Sequence, residues 1–243
     1  MTPGYVDLHL HLLPGVDDGA KDMEESVAMA RALVAAGYSD AAPSPHAWPE
    51  FASAQEAADK RAALQERLSS EGIALRLHAG AENRLDPDLF ARIDKGDARP
   101  IAGGRFLLVE LPFQAPVPRL PDLLFRLQTK GATPLIAHPE RCLEFVGNRA
   151  RAKAAHDAGA LFQIELASLL GGYGSAAELM AARLLDDDLV YVAATDLHHA
   201  EGALDWIPEA IQTLERRVGA PRVRELLADH PRRIIEGTAG EVT

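Results

Sequence analysis

"VDLHLHLLPGVDDGA" occupies residues 6–20. It begins as a short apolar run and then sets His9 and His11 two apart, so that in an extended segment both side chains lie on one side. Asp17, Asp18 and Gly19 follow shortly after. Polar groups packed this densely at the end of an apolar run need a partner, and a metal ion is the first candidate, although two histidines alone do not establish one. Taken alone, "DDG" reads as a turn, with Asp favouring the turn and Gly supplying positive φ.

Working outward from this stretch, the same arrangement recurs. The runs expected as strands are Val6–Leu8, Asp40–Ala42, Ala74–Ala79, Phe106–Glu110, Thr133–Ala137, Leu161–Glu165 and Val190–Ala194. They are brief and mostly bounded by Gly, Pro or charge, as buried parallel strands are. Amphipathic segments lie between them and start at capping pairs, Asp22 with Glu25, Ser53 with Glu56 and Ser175 with Glu178. Gly37, Gly72, Gly131 and Gly159 sit where helices should stop. Trp206–Glu236 reads as helical. The alternation predicts one α/β domain over residues 1–243, and both a closed barrel and an open doubly wound sheet fit it. The proline-rich "FQAPVPRLP", residues 113–121, is expected as a loop near the site.

The polar residues cluster at the carboxyl ends of the expected strands. His46 follows the second, Glu82 the third, Glu110 ends the fourth, His138 follows the fifth, and Asp196 and His198 follow the seventh. In α/β architectures this face is where sites are built. A lone histidine there is ordinarily capped or solvated, and a lone glutamate is a surface residue. Coincidence at one face is what argues for a multinuclear metal site, since His, Asp and Glu are ligands of Zn, Mn and Fe. His78, His156 and His230 fall elsewhere and read as packing or surface residues.

Composition narrows the partners. Lys and Arg number 25 against 36 Asp and Glu, a formal charge of −11, so nucleic acid is a poor partner. The single cysteine, Cys142, permits no internal disulfide and fits a reducing compartment. No signal-like segment opens the sequence and no run of about 18 apolar residues occurs, so the expectation is a cytoplasmic protein without direct membrane insertion. Oligomeric state is not legible. Cys142 is also a poor catalytic thiol, because the phosphate-binding loop of a cysteine phosphatase needs an arginine six residues later, where Asn148 stands.

"VDLHLH", "DDGA", "SPH", "AGAE", "LVELP", "IAHPER", "FQIELASLLGGYG", "ATDLHHAEG" and "HPRRII", in this order, resemble the PHP (polymerase and histidinol phosphatase) superfamily. The likeness spans nearly the whole chain and is greatest to its bacterial capsular and exopolysaccharide branch of manganese-dependent protein-tyrosine phosphatases. The resemblance implies a distorted (β/α)7 barrel with three divalent transition metals at the strand carboxyl ends, manganese first, with iron or zinc as alternatives. It implies His9, His11 and Asp196 at the first metal, Glu82 bridging first and second, Glu110 and His138 at the second, and His46, His198 and Asp18 (in preference to Asp17) at the third. Arg141 matches the arginine that contacts the substrate phosphate.

Such a set would support hydrolysis of a phosphate monoester by a metal-bridging hydroxide, with Arg141 clamping the phosphate oxygens. The implied substrate is a phosphotyrosine protein, a bacterial tyrosine kinase of exopolysaccharide export. Two departures touch the substrate side. Ala203 stands where the branch has a substrate-facing arginine, and "ELAS", residues 165–168, stands where the branch more often has Asn. These keep two alternatives open, a small-molecule phosphoesterase of the histidinol phosphatase kind and a low-turnover, metal-stabilised regulatory module.

Overall fold

The computed structural model of the chain describes residues 4–48 and 50–237. Its strands are β1 (Tyr5–Asp7), β2 (Tyr38–Ala41), β3 (Arg76–Leu77), β4 (Glu82–Arg84), β5 (Phe106–Glu110), β6 (Thr133–Ala137), β7 (Leu161–Glu165) and β8 (Val190–Ala194). Among the described residues all pair in parallel, β1-β2-β3 in one sheet and β4-β5-β6-β7-β8 in the other. Two single-residue parallel bridges join the sheets beyond the strand ends, Leu10 to Leu197 and His46 to Glu82. The chain is therefore an α/β fold built on parallel strands.

The strand the sequence pattern does not reveal is β4. The third expected run shortens to Arg76–Leu77, and Glu82 does not follow a strand but opens one, opposite Leu108 of β5. A three-residue strand of Glu, Asn and Arg has no apolar run to betray it. Asn83 compensates by tying the strand down, its side-chain amide donating to the carbonyls of Ala81, Arg99 and Leu108.

Two of the three expected caps form. Asp22 accepts from Glu25 N at 2.9 Å ahead of α1 (Met23–Ala35), and Ser53 accepts from Glu56 N at 3.2 Å ahead of α2 (Ala54–Ser70). Before the later helix at 175–186 the cap position is Gly174 and no side chain caps it. Gly37, Gly72, Gly131 and Gly159 all adopt the positive φ expected of helix stops. Next come α3 (Leu89–Lys95), α4 (Leu120–Thr129), α5 (Arg149–Asp157) and α6 (Ser175–Asp186). The carboxyl-terminal helical region begins at Ala203, three residues earlier than expected. It runs as α7 (Ala203–Val218), α8 (Ala220–Arg224), a π turn and α9 (His230–Ile235). No helix among the described residues is long and apolar enough to cross a membrane.

The strands read as unbroken apolar runs because both their faces are covered. In β5, Leu107 and Val109 join the cluster that holds helix residues such as Leu33, Leu124 and Leu127. Phe106 and Leu108 join a second cluster with Val6, Leu8, Leu135 and Val192, drawn from both sheets. That shared cluster fixes β1 against β5, β6 and β8, and with them the segments that follow their carboxyl ends.

The α1 cap gives a direct test of the local reading. Asp22→Ala removes the acceptor for Glu25 N and should destabilise the chain by about 1 kcal/mol, read as a lower urea midpoint at unchanged slope.

Candidate metal centre

The residues singled out in the sequence converge beyond the strand ends. His9 and His11 continue β1, His46 follows β2, Glu82 opens β4, His138 follows β6, and Asp196 and His198 follow β8. Parallel pairing past the strands holds them in register, with Asp196 N donating to His9 O and His11 N to Leu197 O, both at 2.8 Å. His138 and Asp196 take positive φ, 34° and 50°, although neither is glycine. Such backbone costs on the order of 1–3 kcal/mol per residue and persists where the surroundings impose it. Both residues turn at the strand exit and aim a ligand-type side chain inward.

Glu82, 1% exposed, is the hub. Its Oε1 lies 3.0 Å from His138 Nε2 and 3.5 Å from His9 Nε2; its Oε2 lies 2.9 Å from His46 Nδ1 and 3.9 Å from His11 Nε2. Asp196 Oδ1 lies 3.1 Å from His9 Nε2 and 3.4 Å from His11 Nε2. Yet His9 Nε2, His11 Nε2, His46 Nδ1 and Asp196 Oδ1 are buried without a hydrogen-bond partner. Donor atoms this close but misaligned point at a shared location rather than at each other. Ligands about 2.1 Å from one tetrahedral ion stand roughly 3.4 Å apart, which is the spacing seen. In four sets among the described residues, one ligand atom from each member lies within 4.8 Å of the others: His11, Asp18, His46 and His198; His9, His11 and Asp196; His9, Glu82 and His138; and His138, Glu165 and Asp196.

Outer contacts fix which ring nitrogen faces inward. Gln163 donates its amide to Ile164 O, so its Oε1, 2.8 Å from His9 Nδ1, accepts from that ring. Asp17 Oδ2 takes His11 Nδ1 at 2.7 Å, and Asp196 O takes His198 Nδ1 at 2.8 Å. All three rings are left with Nε2 free to ligate, the usual division of labour around metal-bound histidine. Asp17 also accepts from Gly19 N and His46 N, so it is committed to holding other residues. Asp18 is the one whose Oδ1 reaches His46 Nε2 at 3.3 Å and His198 Nε2 at 3.7 Å. The role of Gly19 differs from the expected positive φ. A Cβ there would lie 2.2 Å from His11 O, so glycine is needed for close approach.

The electrostatics match a set of groups suited to hold a cation. Burial alone would raise Glu82, but the neighbouring His9, His138 and His46 hold its carboxyl well below the usual range. Burial opposes charging of His9 as well, but Asp196 and Glu82 raise it to about 9.

Two expected positions read differently in the structure. Glu110 is buried at the end of β5 and, through burial and the nearby Glu82, is pushed up to about 7, but it enters none of the four ligand sets. Ala203 is fully buried as the first residue of α7, packed in the core and lying in sequence between the cleft-lining Glu201 and Trp206. The sequence reading passed over Glu165, which ends β7 fully buried, 3.9 Å from His138 Nε2. The signal was present, since this was the one expected strand not credited with a carboxyl-end ligand. Burial, Asp196 and Glu140 push Glu165 well up.

Arg141 lies beside the centre, its Nη1 2.8 Å from Glu165 and 3.3 Å from Asp196, with its guanidinium between the rings of Phe113 (4.6 Å) and Tyr173 (4.0 Å). It borders a cleft of about 590 Å³ shared with Tyr173, Asp196, His198 and Trp206. Phe113 places the proline-rich loop at the site, as expected. Cys142 is fully buried and burial pushes its thiol well up, which removes it from nucleophilic chemistry. His78 bonds Asp40, His156 packs near Phe162, and His230 stacks on Tyr191, all away from the centre.

Residues 5–236 match the family described as capsular polysaccharide synthesis, CpsB/CapC, and the chain belongs to this family. It is 34% identical over 221 residues to tyrosine-protein phosphatase YwqE of Bacillus subtilis, covering 88% of this chain and 85% of that one. It is 27% identical to tyrosine-protein phosphatase CpsB of Streptococcus pneumoniae, over 95% and 98% of the two chains. A crystal structure from work on YwqE and CpsB, described as metal-dependent tyrosine phosphatases, superposes with a TM-score of 0.89 at 30% identity, covering 96% of this chain and 95% of that one.

The raised histidines have a consequence for stability when metal is removed. His9 is raised to about 9 and His11 well above its ordinary 6.5, so the folded chain holds protons that the unfolded chain releases above pH 6.5. Stability of chelator-treated protein should therefore fall between pH 6.5 and 9, by on the order of 3 kcal/mol for His9 alone. Urea midpoints across that range check it, and saturating manganese should flatten the dependence because metal displaces the same protons.

Proposed function

We propose that this member of the CpsB/CapC family is a metal-dependent protein-tyrosine phosphatase acting in capsule or exopolysaccharide regulation. One observation carries the reading: a single buried carboxylate, Glu82, meets four histidine rings at 2.9–3.9 Å. We read the ligands as His9, His11 and Asp196 for a first metal, Glu82 and His138 with Glu110 nearby for a second, and Asp18, His46 and His198 for a third. Manganese is the first choice, with iron or zinc as alternatives. Two sheets joined by the bridges at Leu10 and His46 support a distorted (β/α)7 barrel, and we take residues 1–243 as one domain in the cytoplasm.

When bound, divalent metals neutralise phosphate oxygens and bring the pKa of water toward neutrality. The chain's own residues do the rest. Gln163 and Asp17 orient His9 and His11, so the metal-facing nitrogens are set before any substrate arrives. Arg141 supplies a fixed cation at the cleft, and its fork can take two non-bridging phosphate oxygens at once. Phe113 and Tyr173 keep the guanidinium plane from rotating away. Tyr173 and Trp206 give the 590 Å³ cleft aromatic surface suited to a phenyl ring. The natural substrate is then a phosphotyrosine segment, with a bacterial tyrosine kinase as the partner.

Elemental analysis of protein purified without chelator, with a panel of phosphotyrosine peptides and histidinol phosphate, tests the reading. We expect more than one transition metal per chain, three at full occupancy, and turnover favouring the peptides. One metal or fewer after manganese addition overturns the multinuclear centre, and a preference for histidinol phosphate moves the enzyme to the small-molecule class.

Arg141 separates substrate binding from metal binding. Its guanidinium cannot ligate a metal, so Arg141→Ala should keep its full metal content. Losing a charge-assisted clamp is worth roughly 2–4 kcal/mol, so turnover should drop about 30- to 1000-fold. Steady-state kinetics beside metal analysis of the same sample reads both, and a change below threefold removes Arg141 from the mechanism.

A further inference from the structure

We infer that Glu165 is a metal ligand in its own right, acting with His138 and Asp196. The inference rests on the metal-centre reading above and adds to it a residue that the sequence motifs leave out.

Glu165 is completely buried at the exit of β7. Its Oε1 lies 2.8 Å from Arg141 Nη1 and 3.9 Å from His138 Nε2. Its Oε2 has no hydrogen-bond partner, and neither has Asp196 Oδ1. One ligand atom from each of His138, Glu165 and Asp196 falls within 4.8 Å of the others. A structural ion pair with Arg141 would account for Oε1 alone. It leaves a second carboxylate oxygen sealed from water beside another acid, an arrangement that buried groups adopt only when something else satisfies them. Two carboxylates and an imidazole are a donor set for manganese, zinc or iron. Arg141 bonds both acids, so a positive charge already suits the space they share. A divalent ion between them supplies the charge that Arg141 now provides, and leaves the guanidinium free for an anion from the cleft.

Backbone contacts show how the side chain is held. Glu140 Oε1 accepts from Glu165 N and from Ser168 Oγ, both at 2.8 Å, which fixes the turn after β7. Glu110, in contrast, is buried nearby but enters no ligand set. On the His138 side of the centre, Glu165 is the carboxylate closer to a ligating position.

The test is manganese titration by calorimetry on chelator-treated full-length chain, wild type beside Glu165→Gln. Gln keeps the size and the acceptor for Arg141 but removes the anionic ligand. We expect one manganese site weakened at least 10-fold, with the others within twofold of wild type. If Glu165→Gln does not fold by circular dichroism, Glu165→Asp, which withdraws the carboxylate by one methylene, is held to the same criterion. All dissociation constants within twofold of wild type overturn the inference while leaving the centre intact. Wild-type protein that takes up no manganese overturns the centre itself, and this inference with it.

Discussion

Everything at the site depends on one unfavourable act, the burial of Glu82. A carboxylate sealed from water is tolerated only beside positive charge or strong donors. Glu82 obtains them from His9, His11, His46 and His138, which belong to three different strand exits. Those exits must therefore meet at one point. The bridge from His46 to Glu82 brings β2 and β4 together across the gap between the sheets, and the Leu10–Leu197 bridge does the same for β1 and β8. The apolar clusters supply the stability that lets the centre hold its residues in such costly positions. Positive φ at His138 and Asp196 shows where part of that stability is spent.

How much of this was legible in the sequence follows from which physical signal each residue leaves. Strands β5 to β8 coincide with their apolar runs because both faces are buried and nothing interrupts the hydrophobic pattern. β4 left no such trace, since its Glu, Asn and Arg are held by hydrogen bonds and by the site. The histidines were legible because histidine is rare and their positions repeat a rule of the fold. Glu165 left only a weak trace, the one expected strand without a carboxyl-end ligand, because a glutamate closing an apolar strand looks the same whether it turns outward or inward. Asp17 and Asp18 could not be separated by spacing. Only the contacts divide them, one holding His11 and the backbone of Gly19 and His46, the other reaching two imidazoles.

Ala203 shows the limit of carrying a pattern onto a position. Alignment of motifs makes it a lost substrate contact. Burial makes it the first core residue of α7, following Gly202 with φ 69°. Helix α7 takes up Ala203 and packs it inward, a placement that motif spacing does not reveal.

The two sides of the site are built from different materials. Metal-facing residues sit at strand exits locked by parallel hydrogen bonds, buried contacts and oriented imidazoles. Arg141, Phe113 and Tyr173 sit on a 3₁₀ turn, a proline-rich loop and a glycine-flanked connection, with only packing and cation–π contacts between them. Sequence change is tolerated more readily on such segments than on buried strands. That asymmetry explains why the departures from the resembled branch collect on the substrate side while the histidines converge. On the proposed reading the two sides have separate tasks, the rigid side setting the chemistry and the turn-borne side selecting the phosphate ester. In this chain the second side offers a single arginine, two aromatic walls and no further arginine or lysine among the residues lining the cleft. On the proposed reading, recognition rests on stacking against a flat ring more than on charge, which favours an aryl phosphate over a compact alkyl one.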